Sequence, residues 1–584
     1  VEMPAGAPTG DVLIELPPPH QRPAPKLTLD ITRGDDVLSS AEYSLSLVAS
    51  KPAIDPTPLQ LVPAPKEYVA LRGKFPLPEA VPVLVKGGVD PGRVANPTKA
   101  LSLLRDSVQG WGVDLGELTM LKTTGPSEII IGSAQLLPQQ HWTRVLDLPA
   151  QGYMLEVTDA GIRIVAQDTR GLVNGACTLL QAIESHFAMT SELAAPGMRV
   201  FDWPNLPIRT LSVSMPTHRW GYPNDAPVDP EFFKDYLRRT IVRQKLNMVV
   251  FLVGQGVHFD SHPEVDGPAA WSKETMREII DMCRSYGVEP VPGENSLGHA
   301  NWLCIPHKEL AEDGDVHQIC TSNPDSKRIM LEIYQELIDL FDAKYFHVGL
   351  DEIRWKTHLI PEDQRCPLCA GKDKRDIFVE WVRMLHGFLT AQDVEMMMWG
   401  DMVLPGHNGG VPFNLKDTVD RLPKDVIICN WSAAFAPEST AWLRAHGYER
   451  ILKQCSTDAN ITAVLLVFGN MMGMWNKTPW LHEHISSKSS YMYSSQLLAA
   501  EYSWNFWPNN FDLGVPLDRA FFEARPLMNW RLGAHPVTAD GPPQQVDLPA
   551  GDPVEGGPAA EVNFGALSFA VNPAKALAPN AGGE

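Results

Sequence analysis

The chain has 584 residues, 44% of them hydrophobic and 20% charged, the make-up of a soluble globular protein with core enough for two to four domains. Lys and Arg number 49 against 70 Asp and Glu, a net charge of −21, and so acidic a surface repels phosphate backbones and excludes nucleic acid as an expected partner. No apolar run approaches the ~18 residues of a membrane span, so none is expected.

Residues 1–58 are punctuated by proline, from Pro17-Pro18-Pro19 to Pro56 and Pro58, and alternate apolar with polar residues over 11–16 and 26–31. A Pro-rich arm or partial β-domain is expected there. From 59 to 203 strands and helices mix: a β-branched run at 128–132, a hairpin of 153–158 with 161–166 around Asp159-Ala160-Gly161, and helical spacing over 171–183. These features predict a small α+β domain.

From 204 to 530 short apolar strands alternate with amphipathic helices. The strands fall at 211–215, 248–253, 288–292, 345–350, 395–399 and 426–430, the helices at 232–245, 272–286, 325–341 and 377–389. In the last helix Ile377, Trp381, Val382, Leu385 and Leu389 mark one face. Such alternation implies a parallel sheet, and its length suits a (β/α)8 TIM barrel. An open doubly wound sheet is the second choice, weakened because no Gly-rich phosphate loop follows the first strand. Residues 531–584 form a Pro/Gly-rich tail with strand character at 566–571. The expected architecture is therefore an α/β TIM-barrel catalytic domain preceded by a small α+β domain, with Pro-rich, partly β termini.

The eight cysteines are too sparse for a disulfide framework and leave the compartment open. Cys366-Pro367-Leu368-Cys369 is a single C-x-x-C. Zinc would need two further ligands, with His358 and Cys320 the candidates, so two free thiols in a loop, no metal and no cofactor are expected. There is neither a G-x-S-x-G elbow nor an H-E-x-x-H helix.

Reactive groups of a barrel sit where its strands end. The strand 345–350 runs directly into Asp351-Glu352, and adjacent carboxylates there can take two roles if their environments push the pKa values apart. A second strand end carries Glu294 and His299. Trp399, Trp431, Trp475 and Trp504 recur at or after strand ends, and aromatic walls suit the C–H faces of sugars. Asp401 is placed to hydrogen-bond a hydroxyl.

These residues carry a likeness. His347-Val348-Gly349-Leu350-Asp351-Glu352 resembles the H-x-G-G-D-E signature of glycoside hydrolase family 20, the β-N-acetylhexosaminidases. The segment from Gln151-Gly152-Tyr153 to Gln181 resembles the family's small α+β domain, and Asp202-Trp203-Pro204 with Ile208-Arg209 resembles its barrel opening. Lys245-Leu246-Asn247 and Gly298-His299 match further motifs in the family's order. The resemblance implies Glu352 as general acid and Asp351 as the residue that holds the substrate's 2-acetamido group, itself the nucleophile that forms an oxazoline. It also implies that Arg209 binds sugar hydroxyls, that His299 and His347 belong to the pocket's hydrogen-bond network, and that Trp399, Trp431 and Trp504 wall the site. Secretion or periplasmic export is the location it suggests, with a cytoplasmic one left open.

The chain also departs from the pattern. Leu350 stands for the second signature glycine, Thr210 follows Arg209 in place of glycine, Ser214 stands where Asp is common, and Phe251-Leu252-Val253 replaces an H-x-H stretch. The acetamido-binding tyrosine has only Tyr491 and Tyr493 as candidates. The expected activity is a retaining exo-β-N-acetylhexosaminidase acting on a glycan. The alternatives are a barrel glycosidase for another β-glycoside, with Glu294 or Asp401 as a second carboxylate, and a non-catalytic carbohydrate-binding protein.

Overall fold

The computed structural model describes residues 59–454, apart from 60, 78–79, 87–94, 121–127, 134–142, 216–229, 269 and 432–435. Outside that range it describes strands at 26–33, 36–44, 48–49, 469–474, 560–564 and 567–571, and residues 500, 503 and 504. The expected strand at 11–16, Trp475, Tyr491 and Tyr493 lie outside the described residues.

Near the N-terminus Lys26–Arg33 pairs antiparallel with Asp36–Ser44. Leu567–Val571 lies between Ala560–Phe564 and Val48–Ala49, so segments from both ends of the chain share one sheet.

Between 67 and 202 runs a mixed seven-stranded sheet, in the order Glu67–Pro76, Ala194–Asp202, Tyr153–Thr158, Gly161–Ala166, Glu128–Ser133, Ala80–Lys86, Asp114–Met120. Thr169–Thr190, a helix buried throughout 171–180, packs against it. That helix starts at Asp168, whose Oδ1 accepts from the Gly171 amide at 2.8 Å, an N-cap.

Eight parallel strands then close into a barrel: β1 (Ile208–Ser214), β2 (Met248–Leu252), β3 (Glu289–Ser296), β4 (Tyr345–Gly349), β5 (Glu395–Trp399), β6 (Ile427–Asn430), β7 (Ile451–Gln454) and β8 (Gly469–Met474). The continuous apolar runs follow from burial on both faces. In β2, Met248, Val250 and Leu252 point into the barrel with Val291, Met397, Trp399 and Cys429, while Val249 and Phe251 join the larger core outside it. Helices Lys273–Ser285, Pro324–Phe341 and Lys374–Thr390 cover the barrel. The helix expected over 232–245 is shorter, Pro230–Tyr236 running into a π-turn at Leu237–Ile241. No helix among the described residues is long and apolar enough to cross a membrane.

Candidate active site

At the C-terminal ends of β3, β4 and β5 three loops converge. Gly349, the last residue of β4, has φ +70°, and a Cβ there would meet Asn295 Cα at 2.7 Å, so only glycine lets β3 and β4 approach this closely. Gly298 makes the same allowance for the Asp351 carbonyl, 2.6 Å from where its Cβ would lie.

The loop after β4 is strained. Leu350 (φ +75°) and Glu352 (φ +46°) both adopt left-handed backbone, as do Leu297 (+61°) and His299 (+51°) in the facing loop. Non-glycine residues in that region cost ~1–3 kcal/mol each, and such strain concentrates at functional sites.

These turns bring Asp351, Glu352 and His299 together. His299 Nε2 lies 3.4 Å from Asp351 Oδ2 and 3.5 Å from Glu352 Oε2, one imidazole nitrogen serving both carboxylates. Arg354, largely exposed, donates to Glu352 Oε2 at 2.9 Å. The His299 contact, reinforced by the Arg354 charge against the opposing effect of burial, holds the Glu352 carboxyl below its usual range.

Behind the dyad sits Asp401, fully buried. Its Oδ2 accepts from the Glu352 amide at 3.0 Å and from Asn408 Nδ2 at 2.8 Å. Burial, with the nearby charge of Asp351, pushes its carboxyl up to about 7. Asp401 thus supports Glu352 from beneath through Oδ2. Oδ1 makes no hydrogen bond among the described residues, although the Trp431 indole is near enough to favour the ionised carboxylate.

His347, on β4, is fully buried; its Nδ1 accepts from the Gly349 amide at 3.2 Å, which leaves the proton on Nε2. Burial brings this imidazole down to about 4, so it is neutral at physiological pH. Trp399 packs edge-on against it at 4.6 Å and closes the top of the barrel interior. Trp431, partly buried, packs on His407 at 4.2 Å. Beside the dyad opens a cleft lined by His299, Glu352 and Arg354 with His317, Gln318 and Lys356.

Two expected ligands are elsewhere. Arg209 sits at the start of β1, at the opposite end of the barrel. Its guanidinium is fully buried there, donating to the carbonyls of Lys245 (2.9 Å), Leu206 (2.8 Å) and Pro207 (3.4 Å) and to Gln151 Oε1 (2.8 Å). Trp504 lies 5.1 Å from that guanidinium, and its indole N–H donates to Asp202 Oδ1 at 2.8 Å. Both belong to the joint between the small sheet and the barrel, not to the site wall.

Glu294 is equally committed: its Oε2 accepts from the Gly254 amide at 2.5 Å and its Oε1 from the Asn295 amide at 2.9 Å. Sequence reasoning missed Arg354, Asn408 and His407. Arg354, two residues past the dyad, was the one with a visible signal; the other two are brought in by a loop of no regular pattern.

Comparison with known proteins accords with this architecture. Residues 58–203 match the family model "Glycosyl hydrolase family 20, domain 2", and 252–458 match "Glycosyl hydrolase family 20, catalytic domain". Beta-hexosaminidase 1 of Coccidioides posadasii is 24% identical over 334 residues, 52% of this chain and 52% of the relative. The lacto-N-biosidase of Bifidobacterium bifidum is 25% identical over 188 residues, 30% of this chain and 16% of the relative. The chain thus spans about half or less of the length of these curated relatives. Among solved structures, an exo-β-N-acetylglucosaminidase from Vibrio harveyi in complex with N-acetylglucosamine superposes with a TM-score of 0.59 at 15% identity, covering 86% of this chain and 83% of that one. A β-N-acetylhexosaminidase from Bacteroides fragilis gives 0.59 at 17% identity, covering 81% and 96%. The two family models together take in more than half of the residues, and the chain belongs to glycoside hydrolase family 20.

Proposed function

We propose that the protein is a retaining, exo-acting β-N-acetylhexosaminidase that removes terminal β-linked N-acetylhexosamine, with the substrate's own 2-acetamido group as nucleophile. The observation that carries this reading is how the carboxylates at the barrel mouth are spent. Asp351 and Glu352 share one imidazole at the edge of the cleft, whereas Glu294 has both oxygens on backbone amides and Asp401 has one beneath Glu352. A conventional retaining glycosidase needs a second carboxylate free to attack ~5 Å across the sugar; Glu294 has no oxygen to spare, and Asp401 is fully buried behind the dyad with its carboxyl pushed up to about 7, which makes it a poor nucleophile. The curated relatives named β-hexosaminidase support the same substrate class.

In this mechanism the acetamido carbonyl oxygen attacks the anomeric carbon while Asp351 orients the amide N–H and offsets its growing positive charge. The bond to the leaving oxygen breaks as Glu352 delivers it a proton. Because His299 and Arg354 hold the Glu352 carboxyl below its usual range in the free protein, a sugar that displaces the exposed Arg354 raises it again and lets Glu352 take up the proton it delivers. Water, deprotonated by Glu352, then opens the oxazoline, and two inversions give retention. Asp401 Oδ1 and the Trp431 indole remain for sugar hydroxyls, and Trp399 floors the site.

The test is hydrolysis of paired nitrophenyl β-glycosides with and without the 2-acetamido group. Turnover confined to the acetamido sugars, falling ~10²–10⁴-fold in Glu352→Gln with an unchanged melting temperature, is the expected result. Equal turnover by that variant, or preference for plain sugars, overturns the reading.

A further inference from the structure

The loop after Glu352 and the loop that carries His299 meet again at three sulfurs. Cys320 directly follows the hairpin strand Asp315–Ile319 in the β3 loop; Cys366 and Cys369 lie in the β4 loop. Cys320 Sγ is 3.4 Å from Cys366 Sγ and 3.5 Å from Cys369 Sγ, and the three sulfurs all lie within 4.8 Å of one another. Four ligands about zinc at ~2.3 Å place sulfurs ~3.8 Å apart, a few tenths of an ångström more than the two short spacings found here. A disulfide would use two of the three thiols and leave the third beside it without a role.

The surroundings suit thiolates. In Cys366-Pro367-Leu368-Cys369 the Cys369 amide donates to the Cys366 carbonyl at 3.2 Å, a turn that presents both sulfurs to one side. Cys320 and Cys369 are buried and Cys366 is partly exposed. Ser322 Oγ, 3.3 Å from Cys369 Sγ, is itself held by Lys372 Nζ at 2.8 Å. Lys372 thus brings one positive charge to within one hydroxyl of the trio, against the net negative charge of a zinc held by three thiolates.

The framework exists without the ion. Asp313, in the hairpin turn, accepts from the Cys366 amide at 2.5 Å and from Thr357 Oγ1 at 2.9 Å, and Lys374 forms a buried ion pair with Glu312. We propose that Cys320, Cys366 and Cys369 bind a structural zinc ion that fastens the Glu352 loop to the His299 loop. Water takes the fourth position on the exposed Cys366 side. Binding releases the thiol protons of the cysteines to solvent. This inference goes beyond the proposed activity and does not depend on it.

Zinc is measured in the full chain purified under reducing conditions without chelator. About one ion per chain is expected, falling to roughly a tenth or less in Cys320→Ser and Cys369→Ser. Because those variants can misfold, the wild-type chain is also stripped of zinc and reloaded with cobalt(II). A thiolate-to-cobalt charge-transfer band, competed away by one equivalent of zinc, supports the site whatever the variants do. Wild-type chain that takes up no stoichiometric zinc, cobalt bound without that band, or a disulfide within this trio in the freshly purified protein overturns it.

Discussion

At the lower rim of the barrel, Asp202 is as buried as Asp401 at the mouth, but the two carboxylates are treated differently. Asp202 receives four donors: the Lys66 amide (3.1 Å), the Trp504 indole (2.8 Å), the Tyr153 hydroxyl (2.9 Å) and the Lys245 ammonium (2.9 Å). Lys245 also donates to Tyr153 at 3.0 Å and lies 4.2 Å from the Trp504 ring. Asp401 has a like charge as neighbour and one oxygen without a hydrogen bond among the described residues. The lower rim holds the small domain to the barrel with paired charges and satisfied hydrogen bonds. The mouth carries left-handed backbone at four non-glycine residues and groups still open to a ligand. Charged and aromatic residues occur at both ends, so residue type does not separate joint from site; satisfaction does.

The largest test strikes the joint. Lys245→Met leaves a buried carboxylate without its counter-ion, and removing one partner of such a pair costs ~3–5 kcal/mol. The expected result is a denaturation midpoint lowered accordingly, with kcat/KM per folded chain unchanged. Arg209→Met strands four acceptors at the same rim and is expected to cost about 2–3 kcal/mol. Its KM should stay within about twofold of wild type, as for any group that never meets substrate. Unchanged stability with a raised KM would instead move Arg209 into the sugar site.

Arg209 and Trp504 also show where sequence reading stops. Six of the eight barrel strands were legible because burial on both faces makes 248–253 or 395–399 uninterrupted apolar runs. β7 and β8 were not, since Ile451–Gln454 is four residues long and Gly469–Met474 contains two glycines. Asp351 and Glu352 stood out because an apolar strand runs straight into them. Arg209 was recognisable as a motif residue, yet its environment depends on Gln151, 58 positions away, and that of Trp504 on Asp202, 302 away. Cys320 likewise joins Cys366 across 46 positions, through a hairpin no local periodicity announces.

Asp401→Asn probes the mouth. A carboxyl raised to about 7 in the folded state but titrating near 3.9 unfolded favours folding below its unfolded pKa, and that advantage is lost as pH rises through 7. Asparagine cannot ionise, and its carbonyl can still accept from the Glu352 amide. The variant should therefore match wild type near pH 4 and be more stable at pH 8, by about 4 kcal/mol, while losing turnover. A stability difference independent of pH would mean that Asp401 is ionised throughout and that its pairing with Asp351 is not the source of its perturbation.

The smallest effect tests the strain itself. Leu350 is fully buried with φ +75°, so truncation costs packing in any case, and the informative comparison is between two truncations. Leu350→Ala and Leu350→Gly remove similar apolar area, but alanine keeps the Cβ that left-handed backbone penalises by ~1–2 kcal/mol. Glycine elsewhere is the less stable choice because it loses more chain entropy on folding. Here the order should invert, with Leu350→Gly more stable than Leu350→Ala by about 1 kcal/mol in denaturant midpoints at equal m-value. The same order in turnover would show that the turn at Leu350 sets the position of Asp351 and Glu352. If alanine is the more stable, the loop relaxes out of the left-handed region, and the strain at the mouth does not survive in solution.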